Sequence, residues 1–167
     1  MSVLKDKVVF VTGASSGIGR SCTRAFAAEK ARVLVCARRD ERLAKLAEEL
    51  KKEFGVPVHH FVLDVRNRTA VEKALATLPD EWRRIDILVN NAGLSRGLDK
   101  LHQGLHEDWD EMIDINLKGL LYVSRAVLPG MVERGRGHDI NIGSIAGHEV
   151  YPNGNVYCAT KFAVRAL

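Results

Sequence analysis

The chain has 167 residues, 46% apolar and 28% charged, enough for one domain with a real core and too few for two. No apolar run approaches the ~18 residues of a membrane span, and residues 1–10 lack the long apolar stretch and cleavage site of a signal peptide, so a cytoplasmic protein with no membrane partner is expected. The net charge of +4 comes from bases interleaved with acids, as in Asp40-Glu41-Arg42, and not from the patch or stripe of a nucleic-acid binder.

In chain order, β-branched runs alternate with helical stretches. Lys7–Val11 reads as a strand and Gly17–Lys30 as a helix. Arg32–Cys36 is a strand, followed by a helix over Glu41–Phe54 with Leu43, Leu46, Ala47 and Leu50 on one face. Val58–Leu63 and Ile85–Val89 are strands separated by a helix over Thr69–Leu78. A long helix is expected around Trp109–Val132, then a strand from Ile140–Ile142 and a helix over Asn155–Leu167. Strands apolar throughout, alternating with amphipathic helices, predict an α/β fold: a doubly wound parallel sheet covered on both faces. No repeat, linker or domain boundary interrupts residues 1–167.

Ligands in such sheets bind beyond the carboxyl ends of the strands. The first strand runs into Thr12-Gly13-Ala14-Ser15-Ser16-Gly17-Ile18-Gly19. Glycines there permit a tight turn and close approach of backbone to a pyrophosphate, and the helix that follows aims unpaired N–H groups at it. The spacing lacks the Gly-Lys-Ser/Thr of a P-loop, which argues for a dinucleotide over ATP or GTP. The second strand ends Cys36-Ala37-Arg38-Arg39. An acidic residue at the Ala37 position would select NAD; alanine followed by two arginines predicts NADP, unless Arg38 and Arg39 are merely solvated. Asp64, ending the third strand, could accept from the adenine amino group or cap the next helix. Asn90-Asn91-Ala92-Gly93 ends the fourth, its small residues suited to close cofactor approach and its amides to bridging strands or touching ribose.

Tyr157 and Lys161 lie four apart, on one face of the last helix, with Ser144 upstream and Asn116 inside the long helix. A tyrosine that works as acid and base near neutral pH needs a close cation and a dry cleft, because a cation ~4 Å away contributes only ~1 kcal/mol in bulk water but ~4 kcal/mol at an effective dielectric of ~20. Cys22, Cys36 and Cys158 form no C-x-x-C pair and read as reduced thiols, with Cys22 and Cys36 as small hydrophobes. His102 and His106, four apart, have metal-ligand spacing but no partner ligands, so no metal is expected.

Together, Thr12-Gly13-x-x-x-Gly17-x-Gly19, Asn90-Asn91-Ala92-Gly93, Asn116, Ser144 and Tyr157-x-x-x-Lys161 resemble the short-chain dehydrogenase/reductase family in its single-domain branch. Ile85–Gly93, Val127–Glu133 and Gly154–Leu167 look more specifically like bacterial NADP-dependent 3-hydroxy acid dehydrogenases. The resemblance implies a Rossmann fold, an NADP cofactor and hydride transfer to or from a small hydroxy or carbonyl compound. It implies that Tyr157 moves the proton, Lys161 stabilises its phenolate and holds the nicotinamide ribose, Ser144 polarises the carbonyl, and Asn116 holds a water in a proton relay. Cofactor contacts fall by the same likeness on Gly13, Ser15, Ser16, Gly17, Ile18, Gly19, Arg38, Arg39, Asp64, Val65, Asn91, Ala92 and Gly93.

Family members continue past the position of Leu167 with further strands and a substrate-covering segment, so an incomplete C-terminus is expected. Two other readings stay open: a dinucleotide-binding module without turnover, or an oligomerising fragment using Met112, Ile115, Leu120, Val123 and Val127 as an interface. A homo-oligomer, a dimer or tetramer, is expected. Leu94–Gly97 and Gly147–Asn155 are candidate substrate-pocket segments, with Arg96 a candidate carboxylate anchor. Asp139 stands where the fifth strand should begin apolar, and a charge there suits a strand mouth.

Overall fold

The computed structural model describes residues 2–167. Five parallel strands form one sheet in the order β3-β2-β1-β4-β5. They are β1 (Val8–Thr12), β2 (Arg32–Ala37), β3 (Val58–Val62), β4 (Ile87–Asn90) and β5 (His138–Asn141). The helices are α1 (Gly17–Ala28), α2 (Asp40–Phe54), α3 (Arg68–Ala76), the single turn α4 (Asp80–Arg83), α5 (His106–Ile113), α6 (Leu120–Glu133) and α7 (Asn155–Ala166). This is the doubly wound Rossmann arrangement that the alternation predicted.

Period-two alternation in the strands builds two cores. Val9, Val11, Val33, Val35 and Val89 pack on one face with Ala27 of α1 and Leu43, Leu46, Ala47 and Leu50 of α2. Phe10, Leu34, Cys36 and Leu88 pack on the other with Val71 of α3 and Val123, Val127 and Met131 of α6. Strands β1 and β2 are buried on both faces, which is why they read as unbroken apolar runs. Helix α2 carries Asp40 and Glu41 in its first turn and Lys51 and Lys52 in its last, matching its dipole, and stops at Gly55 in the left-handed region (φ 66°).

Several expectations change. The long helix is not uniform: α5 starts at His106, and Asp114–Gly119 forms a π-helical stretch before α6. Met112, Ile115, Leu120, Val123 and Val127 are all at most 8% exposed, so they fill the core of this chain and offer no interface. His102 belongs to a separate 3₁₀ turn, Leu101–Gln103, while His106 opens α5, so the two do not share a helix face. Among the described residues no cluster of three His, Cys, Asp or Glu side chains is arranged to hold a metal. Among the described residues no helix is long and apolar enough to cross a membrane. Cys36 and Cys158 are buried, and burial pushes the Cys36 thiol up to about 12, so it is a core side chain and not a nucleophile.

Strand β5 starts two residues earlier than the apolar pattern suggested, which places Asp139 within it, opposite Leu88. Its carboxylate accepts from Asn90 Nδ2 (3.2 Å). Partial burial nonetheless pushes the carboxyl above its ordinary value, the Asn90 hydrogen bond opposing this. Folding therefore favours the protonated form, and the stability tied to it is present in acid and lost as pH rises through the raised value. Asp139→Asn should raise the urea midpoint at pH 7, with the gain vanishing below about pH 4; equal shifts at both pH values would contradict this account.

Candidate active site

The chain winds outward from β1 through β2 to β3, then crosses back to β4 and β5. The crossing leaves a crevice between the carboxyl ends of β1 and β4, the topological switch point of the sheet. A cleft of about 490 Å³ opens there. It runs from Gly13, Ser15 and Ser16 past Arg38 and Asp64 toward Tyr157 and Lys161.

The floor is tied by a small polar knot. Asn91 Nδ2 donates to Thr12 O (2.9 Å) and Gly13 O (3.2 Å), while the backbone N–H groups of Asn91 and Ala92 both donate to Thr12 Oγ1 (3.1 Å each). Asn91 therefore bridges strands. Gly13 turns in the left-handed region (φ 66°), and a Cβ on Gly19 would sit 2.5 Å from Gly13 O and against Asn91 Nδ2. Glycine is required at both: at Gly13 by conformation and by Ala92 Cα, 2.9 Å from where a Cβ would sit, at Gly19 by space. Asn90 points the other way, donating to Ser124 Oγ (2.8 Å) and Asn141 Oδ1 (3.0 Å).

At the far end of the cleft the arginines are engaged. Arg39 Nη2 donates to the hydroxyls of Ser15 and Ser16 (3.2 Å each), drawing the second-strand loop onto the glycine loop. Arg38 lies 3.5 Å from Glu111 of α5. Asp64 is gripped by Arg66, at 3.0 Å from Nε and 2.6 Å from Nη2, and this guanidinium holds its carboxyl below the usual range. Asp64 does not cap α3; Asn67 does, accepting from Ala70 N (2.9 Å). Arg96, the candidate carboxylate anchor, is paired with Glu111 instead (2.9 Å).

At the near end, Lys161 is 8% exposed and donates to Ile142 O (2.7 Å). Its Nζ is 5.9 Å from the Tyr157 ring centre. Burial pushes its ammonium below the ordinary lysine value. Ser144 caps the turn Ile145–Gly147, its Oγ accepting from Ala146 N (3.1 Å), so its hydroxyl hydrogen is left to donate elsewhere. Asn116, 2% exposed in the π-helical stretch, clamps Leu94: Oδ1 accepts from Leu94 N and Nδ2 donates to Leu94 O (2.8 Å each). Nδ2 also reaches Thr160 Oγ1 (3.1 Å), which in turn donates to Tyr157 O (2.8 Å). The Asn116 side chain is thus spent on positioning the loop after β4.

Gly13, Ser15, Ser16, Gly17, Ile18, Arg38, Arg39, Asp64, Val65, Asn91, Ala92, Gly93, Tyr157 and Lys161 all line the cleft. Gly19, Asn116 and Ser144 stand behind or beside it. Leu94 and Ser95 line it too, whereas Arg96, Gly97 and residues 153–157 border a separate cavity of about 20 Å³. Sequence reasoning placed Thr12 in the glycine motif without a role for its hydroxyl, and it missed Thr160 and Glu111. The place of Thr12 as the last strand residue before the glycine loop is the signal for its bridging role; nothing local marks the other two.

The sequence profile described as short chain dehydrogenase matches residues 7–167. The chain belongs to this family. It is 55% identical over 158 residues, 95% of its length, to the NADP-dependent 3-hydroxy acid dehydrogenase YdfG of Escherichia coli K12. It is 45% identical over 159 residues, again 95% of its length, to sulfoacetaldehyde reductase 2 of Chromohalobacter salexigens. The chain spans 62% of the length of each of these curated relatives. A closed form of serine dehydrogenase complexed with NADP+ superposes with a TM-score of 0.88 at 55% identity, covering 95% of this chain and 62% of that one.

Gly19→Ala should force Asn91 off the Thr12–Gly13 backbone and lower the unfolding free energy by about 1–3 kcal/mol, the usual range for overpacking a filled site. Urea denaturation reads this directly, and an unchanged midpoint would show that the knot yields without strain.

Proposed function

We propose that this chain carries the cofactor and proton-transfer machinery of an NADP(H)-dependent oxidoreductase acting on a small hydroxy or carbonyl compound, with 3-hydroxy acids as the substrate class. The observation that carries the reading is one continuous cleft joining the glycine turn, two arginines and the Tyr157–Lys161 pair. Relatives named as NADP-dependent support the cofactor, and the 3-hydroxy acid dehydrogenase at 55% identity supports the substrate class. A binding module without turnover draws no support from these relatives.

The residues fit the cofactor. A Cβ at Gly19 would fill the cradle's floor, Ser15 and Ser16 present hydroxyls at its rim, and Arg38 and Arg39 supply guanidinium groups where a ribose 2′-phosphate would lie. Asp64 and Val65 border the adenine end; Asn91, Ala92 and Gly93 border the nicotinamide side. NADP(H) supplies or accepts the hydride.

The chain's own groups handle the rest. Tyr157 donates a proton to the substrate carbonyl oxygen during reduction and takes it back during oxidation. Lys161, held by Ile142 O through one N–H, keeps two for the Tyr157 oxygen and the nicotinamide ribose. Its burial is what gives its charge leverage over a phenolate. Ser144, its oxygen already accepting from Ala146 N, offers its hydrogen to the carbonyl oxygen and opposes charge build-up there. Asn116 acts through structure: it fixes Leu94 and, through Thr160, the turn of α7 that carries Tyr157. The reading is of a cytoplasmic enzyme assembled as a homo-oligomer, a dimer or tetramer, without nucleic-acid or membrane partners.

Tyr157→Phe should retain NADPH binding and lose roughly 10²–10⁴-fold in turnover, measured by absorbance at 340 nm against 3-hydroxy acids and their carbonyl counterparts. Near-wild-type turnover would refute the role. Arg38→Ala should lower the kcat/KM preference for NADPH over NADH by at least about tenfold, the loss of one charge-assisted contact. An unchanged ratio would remove Arg38 from phosphate recognition.

A further inference from the structure

The arginines at the adenine end of the cleft share one carboxylate. Glu111 sits on α5, one turn before Ile115, which lines the cleft. Its Oε1 is 3.5 Å from Arg38 Nη1 and 3.6 Å from Arg66 Nη1, and its Oε2 is 2.9 Å from Arg96 Nε. The other attachments differ among the arginines. Arg66 is gripped by Asp64 at 2.6 Å. Arg39 holds two neutral hydroxyls, which an arriving anion does not repel. Arg38 is half-exposed, with Glu111 as its salt-bridge partner among the described residues, at the long end of ion-pair distance.

We propose that Glu111 competes with the cofactor's 2′-phosphate for Arg38 and thereby limits how tightly NADP(H) is held. This rests on the NADP(H) reading above. A phosphate reaching Arg38 either displaces Glu111 or shares the guanidinium with a second anion a few ångströms away. Both oppose binding, and neither arises with NAD(H), which lacks the phosphate. Glu111 is thus a determinant of cofactor selectivity that works against the preference Arg38 and Arg39 create. Arg96 sets the strength of the competition. Its 2.9 Å contact engages Oε2 and part of the carboxylate's charge, while Oε1 faces Arg38 and Arg66. Removing Arg96 frees Glu111 to pair with Arg38, so the two substitutions should act with opposite signs.

The test is titration of the full chain with NADPH and with NADH, followed by calorimetry, in wild type, Glu111→Gln, Arg96→Ala and the double variant Glu111→Gln/Arg38→Ala. Glu111→Gln should lower the Kd for NADPH about fivefold, equivalent to ~1 kcal/mol, and leave that for NADH unchanged. Arg96→Ala should raise the NADPH value about twofold with NADH again unchanged. In the double variant the gain should disappear, because no Arg38 is left to contest. NADH binding serves as the control for folding. A wild type with no preference for NADPH would overturn the cofactor reading and this proposal together. A wild type that prefers NADPH, with Glu111→Gln inert, weaker or shifting both cofactors equally, would overturn the proposal alone. So would a gain that persists without Arg38.

Discussion

The clamp between the ends of β1 and β4 is the contact on which the rest of the site depends. Thr12 and Asn91 exchange side-chain and backbone hydrogen bonds across two strands that are neighbours in the sheet and 79 residues apart in the chain. Backbone groups at strand ends have lost their ladder partners and need others. Here they find them in one another, which fixes the glycine turn against the loop after β4 while leaving the crevice above open. A side chain on Gly19 would occupy the position Asn91 uses to make this tie.

A second set of polar contacts carries the geometry from the sheet to Tyr157 and Lys161. Asn116, Thr160 and Tyr157 O form a chain of hydrogen bonds from the π-helical stretch to α7, and Lys161 is anchored to Ile142 O beyond β5. Buried polar groups are costly unless satisfied, so each such contact also rigidifies its neighbours. The π-helical stretch puts Asn116 within reach of Leu94 while Ile115 and Leu120 stay in the core; π-turns of this kind recur at functional positions in helices.

The end of the cleft around Arg38 and Asp64 is organised by charge and not by buried hydrogen bonds. Arg38, Arg66 and Arg96 converge on Glu111, and Arg66 also grips Asp64. These pairs are partly solvated, so each contributes modestly to stability. Their arrangement sets the potential that an anionic ligand meets as it arrives.

Local sequence pattern sets the sheet and most of the cleft's lining. The apolar runs of β1 and β2, the glycine spacing after Thr12 and the four-residue step from Tyr157 to Lys161 are local patterns, and local backbone preference and burial enforce them wherever the chain folds. It also marked Asp139 as out of place, and Asp139 does lie inside β5 with its carboxyl pushed up by burial. Which polar groups meet depends on how the elements pack in three dimensions. Asp64 and Arg66 are two residues apart, yet their pairing competes with adenine contact and helix capping on equal local terms. Arg96 and Glu111 are 15 apart on a loop and a helix, and Asn116 and Thr160 are 44 apart. No periodicity encodes such distances. They follow from how the loop after β4, α5 and α7 pack around the crevice, because a hydrogen bond or ion pair is set by position in space and the sequence fixes that position only through the whole fold.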